Sequence, residues 1–278
     1  MDASTSRKGF STARWVRVLV ALMLMAGTLG LGVAEGKKKK KVVEQPPPDL
    51  PGQVAFLAWK LRGVHMDDAT ETINQIQKLV VDHLQEWLPG APDRANSVTV
   101  RRELEAVFDK LRYPTTSQPA CFVEPWKGAR LIGAGYTLGW TRFNRVNVLA
   151  FFEQRDGQTR LAAVTNFAPF VDLHYEFLPA RGDDFRFLVW GTRPGKSQPR
   201  LTAMLYSYDG QNLKSLWETH DVYDGKMEVG EEKVTIRYLK EDEYVREQAH
   251  NRKPPRHEAT YKFTPQGLEI ETDREIPF

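Results

Sequence analysis

The sequence predicts a mainly β chain of α+β class: an antiparallel β-meander, built as an open sheet or sandwich, with an N-terminal helical hairpin packed on it. Three observations carry this. From about Cys121 onward, short stretches rich in Val, Phe, Tyr, Trp and Thr alternate with Asp-Gly and Gln-Gly dipeptides, the pattern of strands joined by tight turns. Before that point, two stretches repeat apolar residues every three or four positions, which is the helical period. No helical period interrupts the later strands, so parallel βαβ units are excluded.

Size and composition bound the answer. A chain of 278 residues suffices for one large domain or two small ones. Its 41% hydrophobic and 27% charged residues exclude collagen-like and wholly disordered classes. The net charge of +3 is unevenly placed. Residues 1–41 hold nine Lys/Arg against two acids, which leaves 30 bases against 34 acids in the remainder. The folded part is mildly acidic, so no nucleic-acid footprint is expected.

The N-terminus reads as an address. Arg7, Lys8, Arg14 and Arg17 form a basic region ahead of an apolar run from Val18 to Ala34. Gly32-Val33-Ala34 satisfies the small-x-small rule for signal peptidase, so residues 1–34 are expected to be a signal peptide. The competing reading is an uncleaved membrane anchor, because the run approaches the shortest spanning length and Lys37 to Lys41 resist translocation. The chain is thus expected to be exported, to the periplasm or outside the cell. If cleavage fails, it would be anchored, with membrane contact through residues 18–41.

Residues 35–58 read as a Lys/Pro-rich linker, since the lysine run and Pro46-Pro47-Pro48 cannot build a core. Residues 59–115 read as the helical hairpin. Asp68-Ala69-Thr70-Glu71 resembles a capping box, followed by Ile73, Ile76, Val80, Leu84 and Trp87 on one stripe. Pro89-Gly90 stops that helix. A second begins near Ser97, with Val100, Leu104, Val107, Phe108 and Leu111 on its stripe, and ends by Pro114. Both stripes suit docking on a core.

Residues 116–278 read as the β domain. Val146 to Glu153 and Thr159 to Asn166 flank Asp156-Gly157, and Leu201 to Tyr208 and Leu213 to Glu218 flank Asp209-Gly210. A further turn is expected at Asp224-Gly225 before Met227 to Val229. Glu231-Glu232 leads into Val234 to Leu239, and Gln266-Gly267 joins Ala259 to Phe263 with Leu268 to Glu271. The segments FEQRDGQTRLAAV and YSYDGQNLKSLW share DGQ between an aromatic-bearing strand and a leucine-bearing one. They resemble blade hairpins of exported β-propeller proteins, which implies a propeller-like meander. Cys121 to Phe278 is too short for four four-stranded blades. Lys240 to Arg256, highly charged, is expected to be a long exposed loop and a partner-contact arm.

Catalytic and metal motifs do not emerge. Gly133, Gly135 and Gly139 in GAGYTLG mimic a dinucleotide loop, but strand-like chain follows them, so glycine-permitted bends or bulges in a strand are expected and no cofactor. The six histidines lack metal-ligand spacing, and no metal site is expected. Cys121, the only cysteine, reads as a small buried residue. No mature serine sits in a nucleophile elbow or Ser-x-x-Lys motif, so no catalytic residue is assigned. Paired carboxylates leave no signature in sequence.

The remaining signal is aromatic. Trp126, Trp140, Trp190 and Trp217 fall in the β region, where a sheet face can stack on sugars or grip a peptide. Trp190-Gly191-Thr192-Arg193 sets a stacking surface beside a charged donor. Trp190 and Arg193, with Trp140 and Arg142, are therefore the expected ligand-binding residues. The expected role is a non-enzymatic binding module for an unidentified protein or glycan. The alternative is a hydrolase acting on an envelope polymer through dispersed carboxylates.

Overall fold

In a computed structural model, the described residues are 45–91, 96–111, 119–140, 144–167, 173–181, 183–193 and 197–277. The signal segment, the lysine run and Arg142 lie outside them. From Pro46 on, the chain forms one unit. Among the described residues, eleven strands make two antiparallel sheets, and in each sheet every strand pairs with its neighbour in sequence. The first holds β1 (Ala120–Trp126), β2 (Ala129–Gly139), β3 (Arg145–Arg155) and β4 (Gln158–Phe167). The second holds β5 (His174–Arg181), β6 (Asp184–Arg193), β7 (Arg200–Tyr208), β8 (Leu213–Val229), β9 (Lys233–Leu239), β10 (Arg256–Thr264) and β11 (Gly267–Ile276). This is the expected antiparallel meander with helices. Both sheets are open, and a four-stranded and a seven-stranded sheet are not repeated blades.

The two DGQ turns also close differently. Arg155 pairs with Gln158, and Asp156 and Gly157 take φ of 51° and 76°, the left-handed pair that a two-residue hairpin needs. In the other, Tyr208 pairs with Leu213, and the Asp209 carboxylate accepts the Gln211 and Asn212 amides at 2.8 and 2.7 Å. The shared tripeptide reflects turn chemistry.

Helices cover the outer face of the first sheet. Here the linker reading is corrected: Leu50–Lys60 is a helix, α1. Asp49 caps it by accepting the Gly52 amide at 2.8 Å, and Pro51 sits in the first turn, where a missing N–H costs nothing. A 3-10 turn (Met66–Asp68) precedes α2 (Thr70–Gly90). Asp68 therefore lies in that turn, and α2 starts from Ala69 without a side-chain cap. α3 (Ser97–Val107) has a full capping box between Asn96 and Thr99. Ile76, Val80, Leu84, Val100 and Leu104 then meet Ile132, Ala134, Val148, Ala150 and Phe152 in one buried cluster.

The opposite face of that sheet, with Phe122, Leu131, Leu149 and Phe151, packs on Phe187, Val189, Met204, Tyr206 and Tyr208 of the second sheet. Alternation along β6 and β7 sends Leu188, Leu201 and Leu205 the other way. They form a third cluster with Val234, Ile236, Phe263 and Leu268. The second sheet reaches both clusters because β8 bends. Its first half pairs with β7 and its second half with β9, with a register shift between Tyr223 and Lys226. Asp224 (φ 42°) and Gly225 are thus an irregularity inside one 17-residue strand, correcting the turn expected there. Gly225 has no room for a Cβ, which would fall 2.7 Å from Leu201 Cβ.

Arg186 pins the fold-over. It is 7% exposed, on the Leu188 side of β6, and donates to the carbonyls of Thr264 and Pro265 at 2.8 Å each, holding the β10–β11 turn. The far side of the last strands faces water. There Glu228, Arg237, Glu258 and Arg274 alternate in sign across four strands, linked at 2.8–3.0 Å.

The glycines of GAGYTLG lie in β2 with unbroken register, so the expected bends are replaced by a packing role. A Cβ on Gly133 would fall 2.0 Å from the Phe122 ring, and one on Gly135 2.4 Å from the Tyr175 hydroxyl oxygen. Aromatic side chains from β1 and β5 lie over these bare positions.

Candidate functional site

The expected ligand residues share one end of the strands but not one surface. Trp126 lies against Tyr208 at one end of the paired sheets, and Gly135 lies against Tyr175 toward the other, where β2 and β6 both finish. Trp140, Trp190 and Arg193 stand at that second end. Trp140 is 7% exposed and belongs to the helix-facing core, its indole donating to the Val64 carbonyl at 3.1 Å. It anchors the segment between α1 and α2. Trp190 packs on the Leu188 side of β6, half-buried, with the exposed His174 ring stacked on it at 5.5 Å and 27°. The β6–β7 register runs without a shift to Arg193. Residues i and i+3 of a strand point oppositely, so Arg193 lies on the Val189 side, away from Trp190. Alternation thus puts Trp190 and Arg193, expected to work together, on opposite faces of β6. Cys121 is buried as expected, and burial pushes its thiol up to about 12.

Two polar assemblies were not foreseen. The first closes the sheet pair at its Trp126 end. Glu153 on β3, 9% exposed, accepts the Tyr208 hydroxyl at 2.7 Å and Arg160 at 2.8 Å, while Arg155 bonds its other oxygen at 3.1 Å. Arg160 also donates to the Gly210 carbonyl at 2.8 Å, joining the two sheets. Burial alone would raise the Glu153 carboxyl. The bonds from Tyr208, Arg160 and Arg155 outweigh it and hold the group below its ordinary value. Burial and the adjacent carboxylate raise the Tyr208 hydroxyl. Every partner is satisfied, which suits a structural tie.

The second assembly surrounds a helix in the stretch expected to be a loop. Glu241–Ala249 is α4. Glu241, Asp242 and Glu243 stand in its first turn, where the helix dipole favours them, and Asn251 leaves it at φ 52°. It is helical without an apolar stripe, and none of its residues is buried. Side-chain bonds hold it instead. Glu241 accepts the Tyr223 hydroxyl at 2.6 Å, and that oxygen accepts Arg200 at 2.6 Å. The Arg200 guanidinium lies 4.2 Å from the Tyr223 ring centre. Gln198 donates to the Tyr244 hydroxyl at 3.3 Å, and the Tyr244 ring tilts against Tyr223 at 5.8 Å. Glu243 meets Nε2 of His257, a residue only 5% exposed, at 2.7 Å.

Around this contact, Tyr238 packs against the His257 ring and donates to Asp273 at 2.9 Å, with Lys240 3.8 Å from the same carboxylate. Arg256 pairs with Asp224. The bond to Glu241, with burial, raises the Tyr223 hydroxyl. The surface beneath α4 thus offers a guanidinium, an imidazole, a phenol and an amide to two carboxylates and a tyrosine. A charge-rich sequence of good helix formers was the signal for α4; only its polar face was read.

Among the described residues, no three His, Cys, Asp or Glu side chains gather as a metal site would require. An open groove beside α2 is lined by Asp67, Asp68, Glu71, Asn74 and Lys78. No protein-family model matches the chain, and no curated protein matches it.

Proposed function

We propose that the chain is an exported binding module of the envelope or its surroundings that recognises a protein or glycan partner without catalysing a reaction. One observation carries this reading. A helix that adds nothing to the core, α4, is nevertheless positioned by bonds from Gln198, Arg200, Tyr223 and His257. Selection for stability alone favours buried apolar area over such a polar placement. The His174–Trp190 step adds a second surface on which a sugar ring could stack. The basic region, apolar run and Gly-Val-Ala site support export.

The hydrolase alternative needs a carboxyl that stays protonated while it works. Glu153, Glu247 and Glu258 are held the other way by arginine partners. Among the described residues, burial pushes the Glu124 carboxyl on β1 up.

Melting of the chain from Val42 onward, with cell-wall glycans, divalent metals and common cofactors, tests the reading. A ligand at about 100 times its dissociation constant adds about 2.7 kcal/mol, or roughly 5–10 °C for a domain of this size. A rise with a glycan supports a carbohydrate partner, and a flat panel supports a protein one. Turnover of a glycan, ester or peptide by the purified chain overturns it.

A further inference from the structure

Resting on the reading of the chain as a binding module, we infer that the surface beneath α4 is a receptor for an acidic helical segment of a partner protein, and that α4 occupies it until the partner arrives. Charge complementarity identifies the occupant. Arg200 and the Gln198 amide can only donate hydrogen bonds from their nitrogens, the Tyr223 hydroxyl donates to Glu241, and His257 meets Glu243. What these groups receive is two carboxylates two residues apart, followed by a tyrosine, on one short helix. A second segment with that pattern would meet the same donors.

The present occupant is built to leave. α4 has no buried residue, and Lys240 at its N-cap makes no side-chain cap bond. Val245 on α4 is 59% exposed. A segment held by polar contacts and one partly buried ring opens at far lower free energy than the sheets beneath it. The surface stays in place when it opens, because Arg200, Tyr223 and His257 belong to β7, β8 and β10, whose ladders pair strand with strand and not with α4. Tethering gives α4 a high effective concentration, so an outside segment binds the unaltered chain weakly and binds well once the tether's own bonds are removed.

The test uses a fluorescently labelled peptide with the sequence of residues 239–251 and the chain from Val42 onward, which carries every described element. Removing the cis carboxylates with Glu241→Gln and Glu243→Gln should raise peptide affinity at least tenfold over the unaltered chain. Adding Arg200→Gln to that double variant should abolish the gain. Hydrogen exchange supplies a readout independent of the peptide: amides of 241–249 should exchange well before those of β9 and β10, and faster still in the double variant. Circular dichroism and melting of each variant establish that the sheets persist.

Equal peptide affinity for the unaltered and double-variant chains overturns the inference, as does exchange of α4 in step with the sheets. Concentration-dependent dimerisation of the unaltered chain also overturns it, by making a second copy the occupant. Glycan binding with no peptide response overturns this inference alone, whereas catalytic turnover overturns the reading beneath it.

Discussion

Alanine at Gly133 adds one methyl group where the interlayer has no space for it. The new Cβ would fall 2.0, 2.4 and 2.5 Å from three atoms of the Phe122 ring. The ring cannot swing aside freely, because Tyr175, Phe177, Phe187 and Phe151 surround it at centroid distances of 5.0, 5.1, 5.4 and 6.1 Å. Nor can β2 retreat, since it is paired on one side with β1 and on the other with β3. Overpacking a filled interior costs about 1–3 kcal/mol, and a site confined on every side belongs near 3. Melting should fall by roughly 6–12 °C, at 2–4 °C per kcal/mol for a domain of this size.

Phe122→Ala alone should cost about 3–5 kcal/mol through the cavity it leaves. In the double variant the clash is gone, so its cost should fall short of the sum of the singles by about 3 kcal/mol. Urea denaturation of the four proteins measures the cycle. A Gly133→Ala cost below about 0.5 kcal/mol, or additivity within about that margin, would refute the argument that Gly133 exists to seat the Phe122 ring.

Other consequences are equally open to measurement. Arg186→Leu strips the Thr264 and Pro265 carbonyls of their donor and should cost about 3 kcal/mol; Arg186→Lys should recover part of it, and an unchanged urea midpoint for the leucine variant would sink the pinning role. Glu153 is held below its ordinary value of 4.5, so it contributes stability above that pH that is lost as pH falls through the lower folded-state value. Between about pH 7 and 3 the unaltered chain should therefore lose stability more steeply than Glu153→Gln, and parallel curves would contradict this. The buried Cys121 thiol should react with a disulfide reagent at about pH 8 only at the rate of unfolding, and prompt labelling of the folded chain would show the site open.

What could be read from the sequence was local. Asp156-Gly157 announced its hairpin because only a few residues tolerate two successive positive φ values. The stripes of α2 and α3 announced a face for the sheet. α1 was hidden beside the lysine run and Pro46-Pro47-Pro48, which made residues 35–58 a linker, although Asp49 is a helix cap. α4 was hidden because a helix held by side-chain bonds has no apolar period. Asp224-Gly225 carries the same dipeptide as a turn, and only the strands that β8 pairs with on either side make it a bend.

The faces that the expected site residues occupy were hidden for a related reason. Alternation already places Trp190 and Arg193 on opposite faces of one strand, but sequence does not say that both faces of β6 are covered by different layers. The receptor beneath α4 draws Arg200, Tyr223 and His257 from three strands. Their meeting depends on the fold-over of the second sheet, which no window of sequence contains.

Because within each sheet every strand after the first pairs with the one just before it, the ladders of both sheets have low contact order. Every hairpin can zip onto its predecessor as the chain is delivered from its N-terminus, with no distant segment to wait for. Only the stacking of one layer on another is non-local, and the last of these steps needs β9, β10 and β11 to swing over on the bend in β8. A chain stalled before that step would hold finished hairpins but expose Leu188, Leu201 and Leu205. The surface that marks such an unfinished chain would then depend on one hinge, the bend in β8.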